Sequence, residues 1–297
     1  MTDDRAPSAG GHEAVAPDAA GGDPLDPADL DLGAARTAVR EATPLVNALT
    51  NEVTVNDVAN VTLHWGGLPV MSDDRREVAD MVAGAQGLLL NMGTVSEAGE
   101  ETMVTAGDAA ADHGVPVVVD PVGAGATPTR SRVAQRLVTD LDPAIVSGNY
   151  GEITALVGDD AEVRGVESVG DYADIAETAV ACARDTGAVV VASGETDVVA
   201  TAERAFEVRS GDPMLGRVVG TGCMLGVTLA TFAAAVDDPL AASLAGTLAY
   251  GLAGEAAAEG EFGEYHGPAS YLTAFLDAVA GHEPTADPAT RIREVVE

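Results

Sequence analysis

Residues 87–120 read GLLLNMGTVSEAGEETMVTAGDAAADHGVPVVVD. The stretch opens on the apolar run Gly87 to Leu90 and closes on Pro116 to Val119, and each run gives way to one polar residue, Asn91 and Asp120. Between them, residues 95–113 mix small apolar and acidic side chains and read as a helix. A strand without polar alternation is buried on both faces, which calls for helices above and below a parallel sheet. The same unit recurs along the chain. AIVS (144–147) and AVVVA (188–192) read as strands, and helices are expected near 53–65, 130–139, 171–186, 223–236, 240–258 and 268–280. DVVAT (197–201) and AFEVR (205–209) follow too closely for crossover helices, so they read as an antiparallel addition at one edge. The expected architecture is an α/β fold of three layers, with a mostly parallel central sheet covered by helices on both faces, in one domain over 32–297.

Residues 1–31 differ in kind. They are Gly, Pro, Ala and Asp with almost no branched apolar side chain, and are expected to form a disordered acidic tail. Asp3 and Asp4 stand where a secretory signal would place positive charge, and no apolar h-region follows, so the cytoplasm is the expected compartment. The uncharged segments 223–236 and 240–254 are split by Asp237-Asp238-Pro239 and read as buried helices, not membrane spans. Net charge is −33, and all fifteen basic residues are Arg, with no Lys. A field of that sign repels nucleic acid and anionic lipid, so neither is an expected partner. It suits a halophilic cytoplasm, where a Debye length of about 3 Å in roughly 1 M salt screens the self-repulsion. With no secretory signal, Cys182 and Cys223 are both expected to be reduced, Cys182 as a core residue.

In a parallel sheet, ligands bind beyond the carboxyl ends of the strands. Polar or Gly-rich residues collect there: Asn91 to Thr94, Asp120 to Gly125, Ser147 to Asn149 and Ser193 to Glu195. Val219-Gly220-Thr221-Gly222-Cys223 runs straight into an apolar helix. Two glycines allow close backbone approach, and the helix start presents unpaired N–H groups, an anion hole suited to a transferring phosphoryl group. The bland alternative is an ordinary Gly-containing loop. No GxxxxGK[ST] loop occurs, and GAGAT (123–127) lacks the GxGxxG spacing of a dinucleotide site. Asp120 at a strand end could hold Mg²⁺, or could simply end the strand with Pro121. Asn149-Tyr150-Gly151-Glu152 puts Glu152 in a first helical turn, as a second Mg²⁺ carboxylate or as a partner of the helix dipole.

PVVVDPVGAGATPTR, SGNYGEI, VVASGETD and VVGTGCMLG, in this order and spacing, closely resemble hydroxyethylthiazole kinases of the ribokinase-like superfamily. PLVNALTNEVTVNDVANVTLHWGGLPVMSDD, NMGTVS and the late YGLAGEAAAE…GPASYLTAFLDA extend the resemblance over about 36–280. It implies ATP-dependent, Mg²⁺-assisted phosphorylation of the hydroxyl of 4-methyl-5-(2-hydroxyethyl)thiazole in thiamine biosynthesis or salvage, by a homotrimer with sites between subunits. By that resemblance Met71 and Gly220 bind the alcohol, Ser193 contacts the nucleotide, and Asp120 and Glu152 serve metal and phosphate. Thr221, Gly222 and Cys223 form the catalytic turn, with Cys223 where ribokinase-like enzymes carry an Asp base. Helix starts lower a thiol pKa, yet a loose phosphoryl transfer needs little base, so Cys223 is expected to orient the hydroxyl or assist weakly.

The chain departs from the family pattern twice. Ser147-Gly148-Asn149 replaces RGN, which removes a nucleotide-contacting Arg, and Asn47-Ala48-Leu49-Thr50-Asn51 replaces HNITN in the substrate pocket. A ribokinase-like kinase of another heterocyclic alcohol, an ADP-forming repair dehydratase of that fold, and a weakly catalytic sensor of nucleotide or thiazole therefore stand as alternatives.

Overall fold

A computed structural model of the protein describes residues 25–158, 163–164, 167–168 and 174–296. Along the chain run α1 (Leu32–Ala42), β1 (Leu45–Leu49), α2 (Val55–Trp65), β2 (Leu68–Val70), α3 (Val78–Ala83), β3 (Gly87–Asn91), α4 (Glu97–His113), β4 (Val117–Asp120), α5 (Pro128–Asp140), β5 (Ile145–Asn149) and α6 (Tyr150–Leu156). A two-stranded ribbon, β6 (Val163–Arg164) and β7 (Glu167–Ser168), leads to α7 (Ile175–Thr186), β8 (Val189–Ser193), β9 (Asp197–Ala200) and β10 (Ala205–Val208). The chain finishes with α8 (Thr221–Ala233), α9 (Pro239–Ala258), α10 (Pro268–Gly281), α11 (Pro288–Arg291) and β11 (Ile292–Val296).

The central sheet has nine strands in the order β11-β10-β9-β8-β5-β4-β3-β1-β2. From β2 to β8 all pairings are parallel, and β9, β10 and β11 add an antiparallel edge. The period of two sends alternate residues of each inner strand to opposite faces. Leu89, Val118, Ile145 and Val191 join a core with α1, α2, α8, α9 and α10. Leu88, Leu90, Val119, Val146 and Val190 join a second core with α3 to α7. Helices therefore cover both faces, as the apolar strands require. With few aromatics available, the first core is closed by the Ala- and Gly-rich faces of α8 and α9, with Trp65 set edge-on to Phe232 at 5.4 Å.

Three strands of the central sheet have no counterpart in the sequence expectations, and neither do α1, α3, α11 and the ribbon β6–β7. β1 escapes because its buried centre is Asn47, whose Oδ1 accepts from Ser72 N–H (3.1 Å) and whose Nδ2 donates to Ser72 carbonyl (3.3 Å). Asn47 thus ties β1 to the segment leaving β2, a peptide-like job in a position where periodicity expects an apolar residue. β2 is only three residues long. β11 carries charge on an edge: Arg204 pairs with Glu294 and Arg293 with Glu207 (2.9 Å), contacts between residues far apart in sequence. The helix expected at 171–186 is α7 from Ile175, with 171–173 outside the described residues. Residues 1–24 of the expected tail also lie outside them, while Leu30 is buried in the first core and Leu25 carbonyl accepts from Arg204 Nη1 at 2.8 Å.

Candidate active site

The carboxyl ends of β1, β3, β4, β5 and β8 share one edge of the sheet, and the start of α8 lies against them. Gly220 is the N-cap of α8 at φ +92°, a conformation that favours glycine, and offers no side chain to cap the helix. The N–H groups of Thr221, Gly222 and Cys223 therefore have no intrahelical acceptor and no side-chain cap. The turn itself is fixed: Thr221 Oγ1 donates to Leu215 and Val218 carbonyls (3.1 and 3.3 Å), and Tyr250 O–H donates to Thr221 carbonyl (2.7 Å).

This first turn faces two ways. Thr221 and Gly222 line a cleft of roughly 540 Å³ shared with Ser193, Gly194, Asp197 and the loop Ser210 to Gly216. Cys223 points into a polar cluster instead. Asn51 Nδ2 donates to Cys223 Sγ (3.4 Å), to Asn91 Oδ1 (3.1 Å) and to Thr54 Oγ1 (2.9 Å), and Asn91 Nδ2 donates to Asp120 Oδ2 (2.5 Å). Gly226, one turn into α8, lets the helix approach so closely that a Cβ there would lie 3.3 Å from Asp120 Oδ2.

Burial opposes the lowering that a helix start gives a thiol at Cys223. The thiol is 8% exposed, and desolvation pushes its pKa up to about 12, with the Asp120 carboxylate adding to the rise against the hydrogen bonds from the Asn91, Thr54 and Asn51 side chains. Any lowering by the helix start is overwhelmed, and the thiol stays protonated at neutral pH.

Asp120 and Glu152 are each 4% exposed. Burial, above all, raises both toward the neutral acid; the Glu152 charge raises Asp120 further, while Asn91 opposes it. Glu152 Oε1 accepts from Gly123 N–H (2.6 Å) and Oε2 from Asn149 N–H (2.8 Å), while Asn149 Oδ1 accepts from Glu152 N–H (2.9 Å). This is a capping box, so the helix-start role foreseen for Glu152 is real. It coexists with a second property: the two buried carboxylates lie near enough for the Glu152 charge to act on Asp120, and the one basic side chain whose charge favours ionised Glu152, Arg130, spends its hydrogen bonds on backbone carbonyls. A divalent cation fits such a donor set.

Met71 follows β2 beside the Asn47–Ser72 link, at the same sheet edge but apart from the cleft, and is partly buried against the first core. Ser193 ends β8 and lies in the cleft, with its Oγ donating to Gly148 carbonyl at 3.4 Å. Ser147, at the position of the absent Arg, is buried at 3% exposure. Several residues went unread in the sequence. Asp197 lines the cleft with its pKa pushed up to about 7 by burial, against the N–H bond from Gly194 (3.0 Å). Arg130 joins the loops after β3 and β4 through Met92, Val122 and Gly93 carbonyls (3.1, 2.6 and 2.9 Å). Tyr250 was the available signal, a lone aromatic in a helix of Ala and Gly.

The hydroxyethylthiazole kinase family model matches residues 37–283. The hydroxyethylthiazole kinase of Natronomonas pharaonis is 66% identical over 91% of this chain and 97% of its own. That of Haloquadratum walsbyi is 67% identical over 84% of this chain and 87% of its own. The solved structure of a hydroxyethylthiazole kinase protein from Pyrococcus horikoshii OT3 superposes with a TM-score of 0.77 at 32% identity, covering 89% of this chain and 98% of that one. On the matched stretch, the shared identity and the common fold, the chain belongs to the hydroxyethylthiazole kinase family.

Proposed function

We propose that the protein transfers the γ-phosphoryl group of ATP to the hydroxyl of 4-methyl-5-(2-hydroxyethyl)thiazole, the reaction of its family in thiamine salvage. One observation carries this reading: the uncapped start of α8 touches both the Ser193 cleft and the Asp120 cluster. The nucleotide occupies the cleft beside Ser193 and Gly194. The alcohol enters from the side of Met71, Asn51 and Cys223, near Gly220. N–H groups of Thr221, Gly222 and Cys223 stabilise charge on the phosphoryl group as it passes between the two. Asp120 and Glu152 would hold Mg²⁺, which would supply neutralisation of the phosphate charge when bound. The Cys223 thiol, neutral and held by Asn51, orients the attacking hydroxyl and does not act as its base.

The working enzyme is a cytoplasmic homotrimer. Exposed Val53, Val55, Leu63, Leu68 and Val219 along α2, β2 and the turn before α8 support contact between copies beside the alcohol site. No helix among the described residues is long and apolar enough to cross a membrane. The charge of −33 with Arg as the sole strong base fits operation in molar salt. The test is coupled ADP release in molar KCl with Mg-ATP, comparing the thiazole alcohol with hydroxymethylpyrimidine. Turnover with the thiazole is expected, and its absence overturns the assignment. Sedimentation in the same salt tests the trimer.

A further inference from the structure

One wall of the cleft is the connection between β10 and α8, irregular over residues 209–214 and then a 3-10 turn from Leu215. Its shape depends on what it lies against. Gly251 and Gly254 of α9 leave room for it: a Cβ at Gly251 would overlap Ser210 Oγ and come within 3.0 Å of Gly211 N, and one at Gly254 would lie 2.8 Å from Leu215 Cδ1. Next on that helix, Glu255 Oε1 accepts from Gly211 N–H at 3.2 Å. Gly211 lines the cleft and holds φ +98°.

Glu255 does not stand alone. Arg291 grips its carboxylate with both prongs, Nη1 to Oε1 and Nη2 to Oε2, each at 3.0 Å. The same Nη1 donates to Arg209 carbonyl (3.2 Å), and Arg209 N–H donates to Arg291 carbonyl (2.8 Å). Both neighbours of Ser210 are thus fastened to α9 and the end of α11. Arg291 lies outside the stretch 37–283 matched by the family model. A bidentate Arg–carboxylate pair fixes orientation as well as distance. Its charge matters here too, since Asp197 and Asp212 already line a cleft that is to receive a polyanion. An uncompensated Glu255 would add to that repulsion.

We propose that Glu255 and Arg291 are positioning residues for the nucleotide: through Gly211 and Arg209 they set the cleft wall, so the C-terminal segment controls nucleotide affinity. This rests on the cleft being the ATP site. The experiment measures ADP affinity by calorimetry, KM for ATP and for the thiazole alcohol, kcat and Tm, all in molar KCl, for wild type and single variants. Arg291→Gln is expected to weaken ADP and raise the ATP KM about three- to tenfold, the scale of one charge-assisted contact partly lost, and Glu255→Gln, which keeps an acceptor for Gly211 and removes a negative charge, to do so less. The alcohol KM and kcat stay within about twofold. Arg291→Lys, which keeps the charge without the fork, gives a smaller rise. Glu294→Gln is the comparison: it removes the Arg204–Glu294 pair of the neighbouring strand, away from the cleft wall, and leaves nucleotide affinity unchanged. Unaltered ADP affinity in Arg291→Gln, or equal weakening in Glu294→Gln, overturns the positioning role. Wild type that binds neither ADP nor ATP removes the nucleotide site itself, a separate failure visible before any variant is made.

Discussion

Gly220→Ala is the sharpest perturbation of the α8 start. Alanine at φ +92° carries a backbone cost of about 1–2 kcal/mol. The new Cβ would overlap the Thr54 Cγ2 methyl and sit 3.2 Å from Thr54 Cβ, against an ordinary carbon contact of about 3.5–4.0 Å. Relief requires α8 and the start of α2 to part by something on the order of 1 Å, and a misplacement of that size costs about a hundredfold in rate. Because three N–H groups move together, kcat/KM is expected to fall about 10²- to 10³-fold, the range for losing one preorganised donor. The structure also names the remedy. Thr54→Ser deletes the overlapping methyl but keeps the hydroxyl that accepts from Asn51 at 2.9 Å. The double variant should regain about tenfold, a coupling of about 1.4 kcal/mol, while Thr54→Ser alone stays near wild type. Coupled ADP release on the four proteins, with Tm to confirm folding, completes the cycle. Near-wild-type activity in Gly220→Ala would refute the claim that this turn places the phosphoryl-binding groups; strictly additive effects would refute the Thr54 contact as the cause.

Cys223→Ala is expected to keep at least about a tenth of kcat/KM, because a thiol at about 12 supplies little base; inactivity of a folded variant, in the same assay, contradicts the orienting role. Asp120→Asn should lower kcat about 10²-fold or more yet raise the metal-free Tm above neutral pH. The sign follows from the raised carboxylates: stability is complete at low pH and is lost as pH climbs through their folded pKa, and the variant removes one of the two charges responsible. Glu100, held at about 2 by Arg132 and Arg136, behaves oppositely: its contribution is present above the ordinary carboxylate range and lost as pH falls toward 2. Glu100→Gln should therefore cost about 1–2 kcal/mol at pH 7, reduced by salt screening of the exposed Arg132, and almost nothing near pH 2, by urea unfolding.

The parts of the fold legible in the sequence are those with a local signature. GLLLN and PVVVD became β3 and β4 because runs buried on both faces need no partner information to be recognised, and Thr127 and Asp238 mark helix starts through their own side chains. The same holds for the site. Asp120, Asn149, Ser193 and Gly220 stand out by ending strands or opening helices. β1 and β11 stayed hidden for the opposite reason, since Asn47 works through Ser72 and the charges of β11 work through residues about 90 positions away. Glu255 and Asn51 belong with them: nothing in AGEAAA or NALTN says that a carboxylate meets Gly211 or that an amide meets Cys223, 172 residues on.

Cys223 shows where local reasoning goes wrong in sign as well as in detail. A helix start favours a thiolate by up to about 1–2 kcal/mol. The rise to about 12 corresponds to roughly 4 kcal/mol in the other direction, and it comes from burial and from Asp120, neither of which adjoins Cys223 in sequence. The larger effect wins, so the sulfur stays a neutral hydrogen-bonding group between Asn51 and the acidic pair. In that state it cannot accept a proton from the alcohol. Rate enhancement must then rest on placement and charge stabilisation by the α8 start, which is why Gly220, a residue with no functional group, is expected to matter more to turnover than the cysteine three positions on.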